Sequence, residues 1–356
     1  GMDRDTVAIT LQLAEELDKP EDKEAIAGLV GKLYELDLSG KAGAIIHAYN
    51  NGNEIDLAFL LQQAATTTRR NMIDGVEAKW CRTSLADLLA HEADEGGLQF
   101  TAMRPLAMSI KGLQPGDNIA IAAPTDKGKT SLLCRFASDW QVQARTMFKD
   151  RPLLYLVNEG TADRIKLRLA QTALGVDRVT LNTLVASGEA DARIAELWGS
   201  EDLVRVVNIH GKSLPQVINM VGQHNPYMVI SDMTGRIRAA SNKGGAANDI
   251  GQLEEVWNCL REEAVVQNYV HCGVVQVSYE GMDMLYPPLS AMQNSKTGIQ
   301  TTLDLCVMMG ALNNPMHQFL RGIATPKNKL ARQGVASLIQ FEAMFNPPIN
   351  QWKECT

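Results

Sequence analysis

No run of 18 or more apolar residues occurs in the chain, so nothing in it reads as a membrane-spanning helix. The first residues are acidic and lack a basic stretch followed by an apolar one, so no signal peptide is expected. The six cysteines (Cys81, Cys134, Cys259, Cys272, Cys306 and Cys355) form no CxxC pair. That scatter excludes a spacing-defined zinc site or a disulfide framework, and it suits a reducing cytoplasm. An overall basic balance is missing too: the net charge is −7. The deficit is uneven, because residues 1–100 carry 18 acidic and 9 basic side chains and the remaining residues carry 23 and 25. Two later stretches hold only basic charges, Met233–Asn248 with Arg236, Arg238 and Lys243, and Leu320–Gly334 with Arg321, Lys327, Lys329 and Arg332. Each is either a solvated loop or a local field that attracts a polyanion.

What is present falls into two parts, 1–95 and 96–356. In the first, Ile9, Leu11, Leu13 and Leu17, then Ile26, Leu29, Val30, Leu33 and Leu36, recur at near-helical spacing, and Glu54–Gln63 and Ser84–His91 repeat the pattern. Beyond Gly96–Gly97 short apolar runs alternate with helical stretches. The runs are Asn118–Ala123, Leu153–Asn158, Leu203–Ile209, Met228–Asp232, Gly273–Ser278, Leu305–Met309 and Gly322–Thr325, with amphipathic helices expected over Thr130–Phe148 and Ile250–Gln267. Alternation of this kind predicts an α/β fold with a mainly parallel central sheet covered on both faces.

The segment Ala123–Thr130, APTDKGKT, follows a strand-like run and precedes a helical one. That is the context of a phosphate-binding loop, although Ala123 stands where GxxxxGK[ST] opens on Gly. In such a loop the backbone from Ala123 through Pro124, Thr125, Asp126, Lys127 and Gly128 wraps phosphate oxygens. Lys129 neutralises the β- and γ-phosphates, Thr130 offers a hydroxyl to Mg2+, and Ser131 continues the helix N-terminus. The implied ligands are ATP and Mg2+. Glu159 ends the apolar run LLYLVNE and either orients an attacking water as a base or caps the next helix. Asp232 closes MVISD and either completes the metal shell or forms a turn. Gln276, inside GVVQVS, is either a satisfied core amide or a sensor of the γ-phosphate.

In this order the motifs resemble the motor domain of DnaB-type replicative DNA helicases, phage forms included, from about Gly112 to Phe341. The resemblance implies a RecA-like P-loop core in which Ala at the first loop position is accepted. It implies Glu159 as catalytic base, Asp232 in the metal shell and Gln276 as sensor. Leu289–Asp304 resembles the family's DNA-contacting loop, with Lys296 as its cation, although Gln293 stands where Arg is usual and the stretch is one residue longer. PKNKLARQG, residues 326–334, resembles the element that reaches into the neighbouring subunit's ATP site. Lys327 matches its Lys, Lys329 stands at the arginine-finger position, and Arg332 lies three residues on.

The family's working form is a ring, expected here with six subunits, that moves on single-stranded DNA during replication. Arg236, Arg238, Lys243 and Lys296 would face the strand. A primase or loader is an expected partner of the helical region 1–95, and the setting is the bacterial cytoplasm, with a phage source implied by the resemblance. Two other readings stay open: a different RecA-like ATPase, in recombination or signalling, and a nucleotide-binding scaffold with weak turnover.

Overall fold

The computed structural model describes residues 20–73, 84–86, 96–239, 249–293 and 298–355. The helical expectation for residues 9–17 lies outside these, as does most of that for 84–91. Helices α1 (Pro20–Asn50) and α2 (Leu57–Ile73) pack on each other in a compact unit of their own. α2 starts later than the apolar spacing predicts because the Asp56 carboxylate accepts from the Phe59 N–H at 3.1 Å and caps the helix there.

A second unit is built on nine strands: β1 (Asn118–Ala123), β2 (Leu153–Val157), β3 (Val204–Asn208), β4 (Met228–Asp232), β5 (Val270–Gln276), β6 (Leu305–Gly310), β7 (Leu320–Asn328), β8 (Gln340–Asn346) and β9 (Gln351–Glu354). Its helices are α3 (Arg104–Ser109), α4 (Lys129–Met147), α5 (Ala162–Leu174), α6 (Arg178–Ala186), α7 (Glu189–Trp198), α8 (Leu214–His224), α9 (Asp249–Val266) and α10 (Gly298–Thr302). The sheet runs β3-β2-β4-β5-β1-β6-β7-β8-β9. The six strands from β3 to β6 are parallel, and β7, β8 and β9 add on antiparallel.

Both faces are covered, as alternation predicts. In β2, Leu153, Tyr155 and Val157 join the core made with α4, while Leu154 and Leu156 join the one made with α8 and α9. On α4 the residues Leu132, Leu133, Phe136, Ala137, Trp140 and Ala144 recur at helical spacing and are fully buried. Phe100 meets Phe136 and Trp140 edge-on, at 5.1 and 5.3 Å between ring centroids. Each such side chain contributes roughly 1.5–3 kcal/mol by leaving water. Close approach of α9 depends on Gly273, where an added Cβ would lie 2.1 Å from the Trp257 ring.

Two expectations shift. The run predicted as Gly273–Ser278 is the strand Val270–Gln276, so it begins three residues earlier. His271 disguised its start, since this polar residue is fully buried and satisfied by Asn118 Oδ1 at 2.7 Å and Ser231 Oγ at 2.9 Å. Strands β8 and β9 were not foreseen at all, because they are only partly buried.

Candidate nucleotide-binding site

Parallel pairing brings the C-terminal ends of the central strands to one edge, where open α/β sheets place ligands. Val157 pairs with Asp232 and Ala123 with Gln276, so Glu159, Asp232 and Gln276 all stand beside the turn that follows β1. That turn uses left-handed backbone at Asp126 (φ 58°) and Gly128 (φ 102°). The second value strains any residue bearing a Cβ, which explains Gly there. α4 then opens at Lys129, leaving its first N–H groups free for an anion. A cavity of about 470 Å³ faces them, lined by Thr125, Gly128, Lys129 and Thr130 from the loop and by Glu159, Gln276, Arg164 and Arg168. Another cavity, of about 290 Å³, lies among α5, α6, α7 and β3. It is mostly apolar and shares no lining residue with the first, so anion chemistry belongs to the cavity at the loop.

The charges at this cavity are under-satisfied. Asp232 is 1% exposed; Tyr155 donates its hydroxyl to Oδ2 at 3.2 Å, while Oδ1 is buried with no hydrogen-bond partner. Burial pushes this carboxyl up to about 6, against the opposing pull of the Lys129 ammonium and the Tyr155 hydrogen bond. Lys129 is buried too, and its Nζ rests on the Met233 sulfur at 3.1 Å. Burial lowers its ammonium, and Asp232 and Glu159 oppose that. A buried carboxylate oxygen with no donor and a buried ammonium on a thioether are both costly. A phosphate–cation pair would satisfy both. The donors present fit Mg2+, with the Thr130 hydroxyl and Asp232 on the protein side. Among the described residues no group of three or more His, Cys, Asp or Glu could hold a metal ion.

Glu159 is partly exposed, and its Oε1 lies 3.2 Å from Arg236 Nη2. It does not cap α5: the Ala162 N–H goes to Asn208 Oδ1 at 2.9 Å. Gln276 is the last residue of β5, half-buried at the cavity rim, rather than a core amide in mid-strand. Its carbonyl accepts from the Gln293 N–H at 2.8 Å, tying the rim to the segment expected to meet DNA.

The remaining site residues lie elsewhere. Arg236 donates to Glu159 at the edge of the cavity and stays exposed, with about half of its side chain open to solvent. Arg238 is exposed, and Lys243 and Lys296 lie outside the described residues. Lys327 bonds the Gln300 carbonyl, and Lys329 Nζ sits 3.3 Å from Asp304 Oδ1, beside Arg261 at 3.4 Å from the same oxygen. Arg332 turns inward: Nε donates to the carbonyls of Ala107 and Ile110 at 3.0 and 3.1 Å, and Nη2 donates to Gln99 Oε1 at 2.9 Å. Those bonds tie it to α3 and the segments on either side of it.

Motif reasoning missed what the loop rests on. Arg321, on β7, is 5% exposed and donates Nε–H to the Lys127 carbonyl at 2.7 Å. The stacked rings of Phe345 and Trp352 lie beside Gly128. Asn350 donates to the Ser131 carbonyl at 3.2 Å. No spacing rule reaches these residues, which join the loop from about 190–230 positions downstream; charge alone marked Arg321 within a basic stretch. Arg164 and Arg168, four apart on α5, carried a legible helical spacing but no motif.

No curated protein matches the chain. Among solved structures it is similar to the ATPase domain of G40P, at 15% identity and a TM-score of 0.61, covering 79% of this chain and 100% of that one. It is also similar to a DnaB-like replicative helicase studied with primase, at 14% identity and a TM-score of 0.65, covering 97% of this chain and 82% of that one. At such identities the likeness establishes a shared fold, the RecA-like P-loop core anticipated from the motifs. The family model described as AAA domain matches residues 85–268, more than half of the chain, and the chain belongs to that family.

Proposed function

We propose that this protein is an ATP-driven motor that assembles into a ring, expected to have six subunits, and moves along single-stranded DNA. The observation that carries the reading is the convergence of Lys129, Thr130, Glu159 and Gln276 on one cavity at the end of the sheet, with the buried Asp232 carboxylate close enough to feel the Lys129 charge. Lys129 and the loop N–H groups would bind the triphosphate, and Thr130 with Asp232 would hold Mg2+, which supplies charge neutralisation on the β- and γ-phosphates. Glu159 would take a proton from the attacking water, and Gln276 would register whether the γ-phosphate is present. Asp126, Lys127 and Ser131 complete the cradle, with Ala123 and Pro124 leading into it.

Lys327 and Lys329 support an assembly. They stand beside the Asn118 end of β1, since Asp304, which holds Lys329, also accepts from the Asn118 N–H at 3.1 Å. The loop is at the other end, roughly 17–20 Å away for a six-residue strand. These lysines therefore cannot serve their own ATP, and a neighbour in a closed ring is the site within reach. Arg332, bonded inward, leaves Lys329 as the trans cation. Arg238, with Lys243 and Lys296, would hold the DNA backbone, giving binding that weakens steeply with salt. The DnaB-like relative is described together with primase, so region 1–95 is a reasonable place for a primase or loader.

The test is Glu159→Gln, assayed for ATP hydrolysis with and without single-stranded DNA and for strand displacement on a forked duplex. Wild type should do both. The variant should bind ATP normally and lose about 10²–10⁴ in rate, the usual contribution of a positioned base. Wild-type hydrolysis without any displacement would favour another RecA-like ATPase, and no hydrolysis at all would favour the scaffold.

A further inference from the structure

The floor of the phosphate loop is provided in part by Arg321, a residue that lies outside every nucleotide motif. Arg321, the second residue of β7, is almost fully buried. It donates Nη1–H to the carbonyls of Gln318 and Leu320 at 2.9 and 2.8 Å, which locks the fork, and Nε–H to the Lys127 carbonyl at 2.7 Å. The guanidinium carbon also lies 6.0 Å from the Phe345 ring centre, and that ring meets the space beside Gly128. A buried guanidinium among three carbonyls and a ring, with no carboxylate in its bonds, is costly to build. What it fixes is one peptide plane. The Lys127–Gly128 bond is trans, so the Gly128 N–H points opposite to the Lys127 carbonyl. Holding that carbonyl on Arg321 therefore fixes the amide on the opposite side of the peptide, and Gly128 lines the cavity.

We propose that Arg321 is a positioning residue for nucleotide binding, which sets the Lys127–Gly128 peptide so that the Gly128 N–H meets a phosphate oxygen. This rests on the loop being a nucleotide site. The charged donor is important because an Arg–carbonyl bond holds the plane more firmly than a neutral one would. Without it the peptide can rotate and present its carbonyl to the phosphates, replacing attraction with repulsion. The effect should fall on ligands that reach deep into the loop.

The experiment measures MgADP and AMP affinities and the nucleotide-free melting midpoint for full-length wild type, Lys129→Ala, Arg321→Met and Arg321→Gln. Arg321→Met should weaken MgADP by about tenfold or more (~1.4 kcal/mol) and leave AMP affinity within about twofold. Arg321→Gln, which keeps neutral donors, should fall between it and wild type. MgADP affinity within about twofold of wild type, or equal losses for MgADP and AMP, would overturn the proposal, the latter because it signals general loosening. If Arg321→Met does not fold, Arg321→Gln is judged by the same two criteria. Wild type that binds no MgADP, or Lys129→Ala that binds it undiminished, would instead show that the nucleotide-site reading has failed.

Discussion

The two ends of the β1 strand treat charge in opposite ways. At the Ala123 end, Lys129 and Asp232 are buried and under-satisfied, and no carboxylate bonds the Lys129 ammonium. At the Asn118 end, Lys329 and Arg261 share the Asp304 carboxylate, and Lys329 remains half exposed. Buried groups lacking partners mark where a small charged ligand completes the structure, and a satisfied but accessible cation marks where another macromolecule can draw it away. One sheet thus gathers under-satisfied buried charge at one edge and holds a paired, half-exposed cation at the other, as the proposed shared site requires.

The sharpest way to break this contrast is at Asp232. Asp232→Asn should cost at least about 10² in Mg2+-dependent hydrolysis, as expected for loss of a metal ligand in phosphoryl transfer. It should also change the pH profile of the nucleotide-free fold. Burial holds the carboxyl at about 6 in the folded state against an ordinary 3.8, so the unfolded chain ionises first. Stability therefore falls as pH rises through that window. Thermal melts between pH 4 and 7 should show this slope in wild type and a shallower one in Asp232→Asn; identical slopes would mean the carboxyl is not desolvated.

A smaller effect is expected at Arg236, which ties Glu159 to the segment after β4. An exposed ion pair holds its partners by up to about a factor of five. Arg236→Ala should raise hydrolysis without DNA by that order and shrink the stimulation by single-stranded DNA, read in a steady-state ATPase titration. Unchanged stimulation would remove Arg236 from the route between DNA and the base.

Much of the ligand end was legible because its chemistry is local. Gly128, Lys129 and Thr130 are consecutive, and Glu159 and Asp232 each close an apolar run whose parallel pairing follows from the alternation of strands and helices. The floor of the loop was not legible. Arg321, Phe345, Trp352 and Asn350 reach it from strands and a turn in the antiparallel extension, and β8 and β9 are too exposed to show a buried pattern. His271 hid the start of β5 because a lone sequence gives no sign that Asn118 and Ser231 would satisfy its ring. Arg332 looked equivalent to Lys329 by charge, and their bonding distinguishes them: Arg332 donates to the Ala107 and Ile110 carbonyls and to Gln99, while Lys329 meets Asp304.

The proposal that the site is shared is tested most directly by mixing two inactive proteins. Lys129→Ala should lack the loop cation and Lys329→Ala the cation offered to the neighbour, so each alone should hydrolyse ATP poorly. In an equal mixture of exchanging subunits, about a quarter of the head-to-tail interfaces join an intact Lys129 to an intact Lys329. Hydrolysis should therefore rise well above the sum of the parts and peak near equal proportions. A mixture no more active than that sum, with subunit exchange confirmed, would contradict an ATP site divided between two subunits.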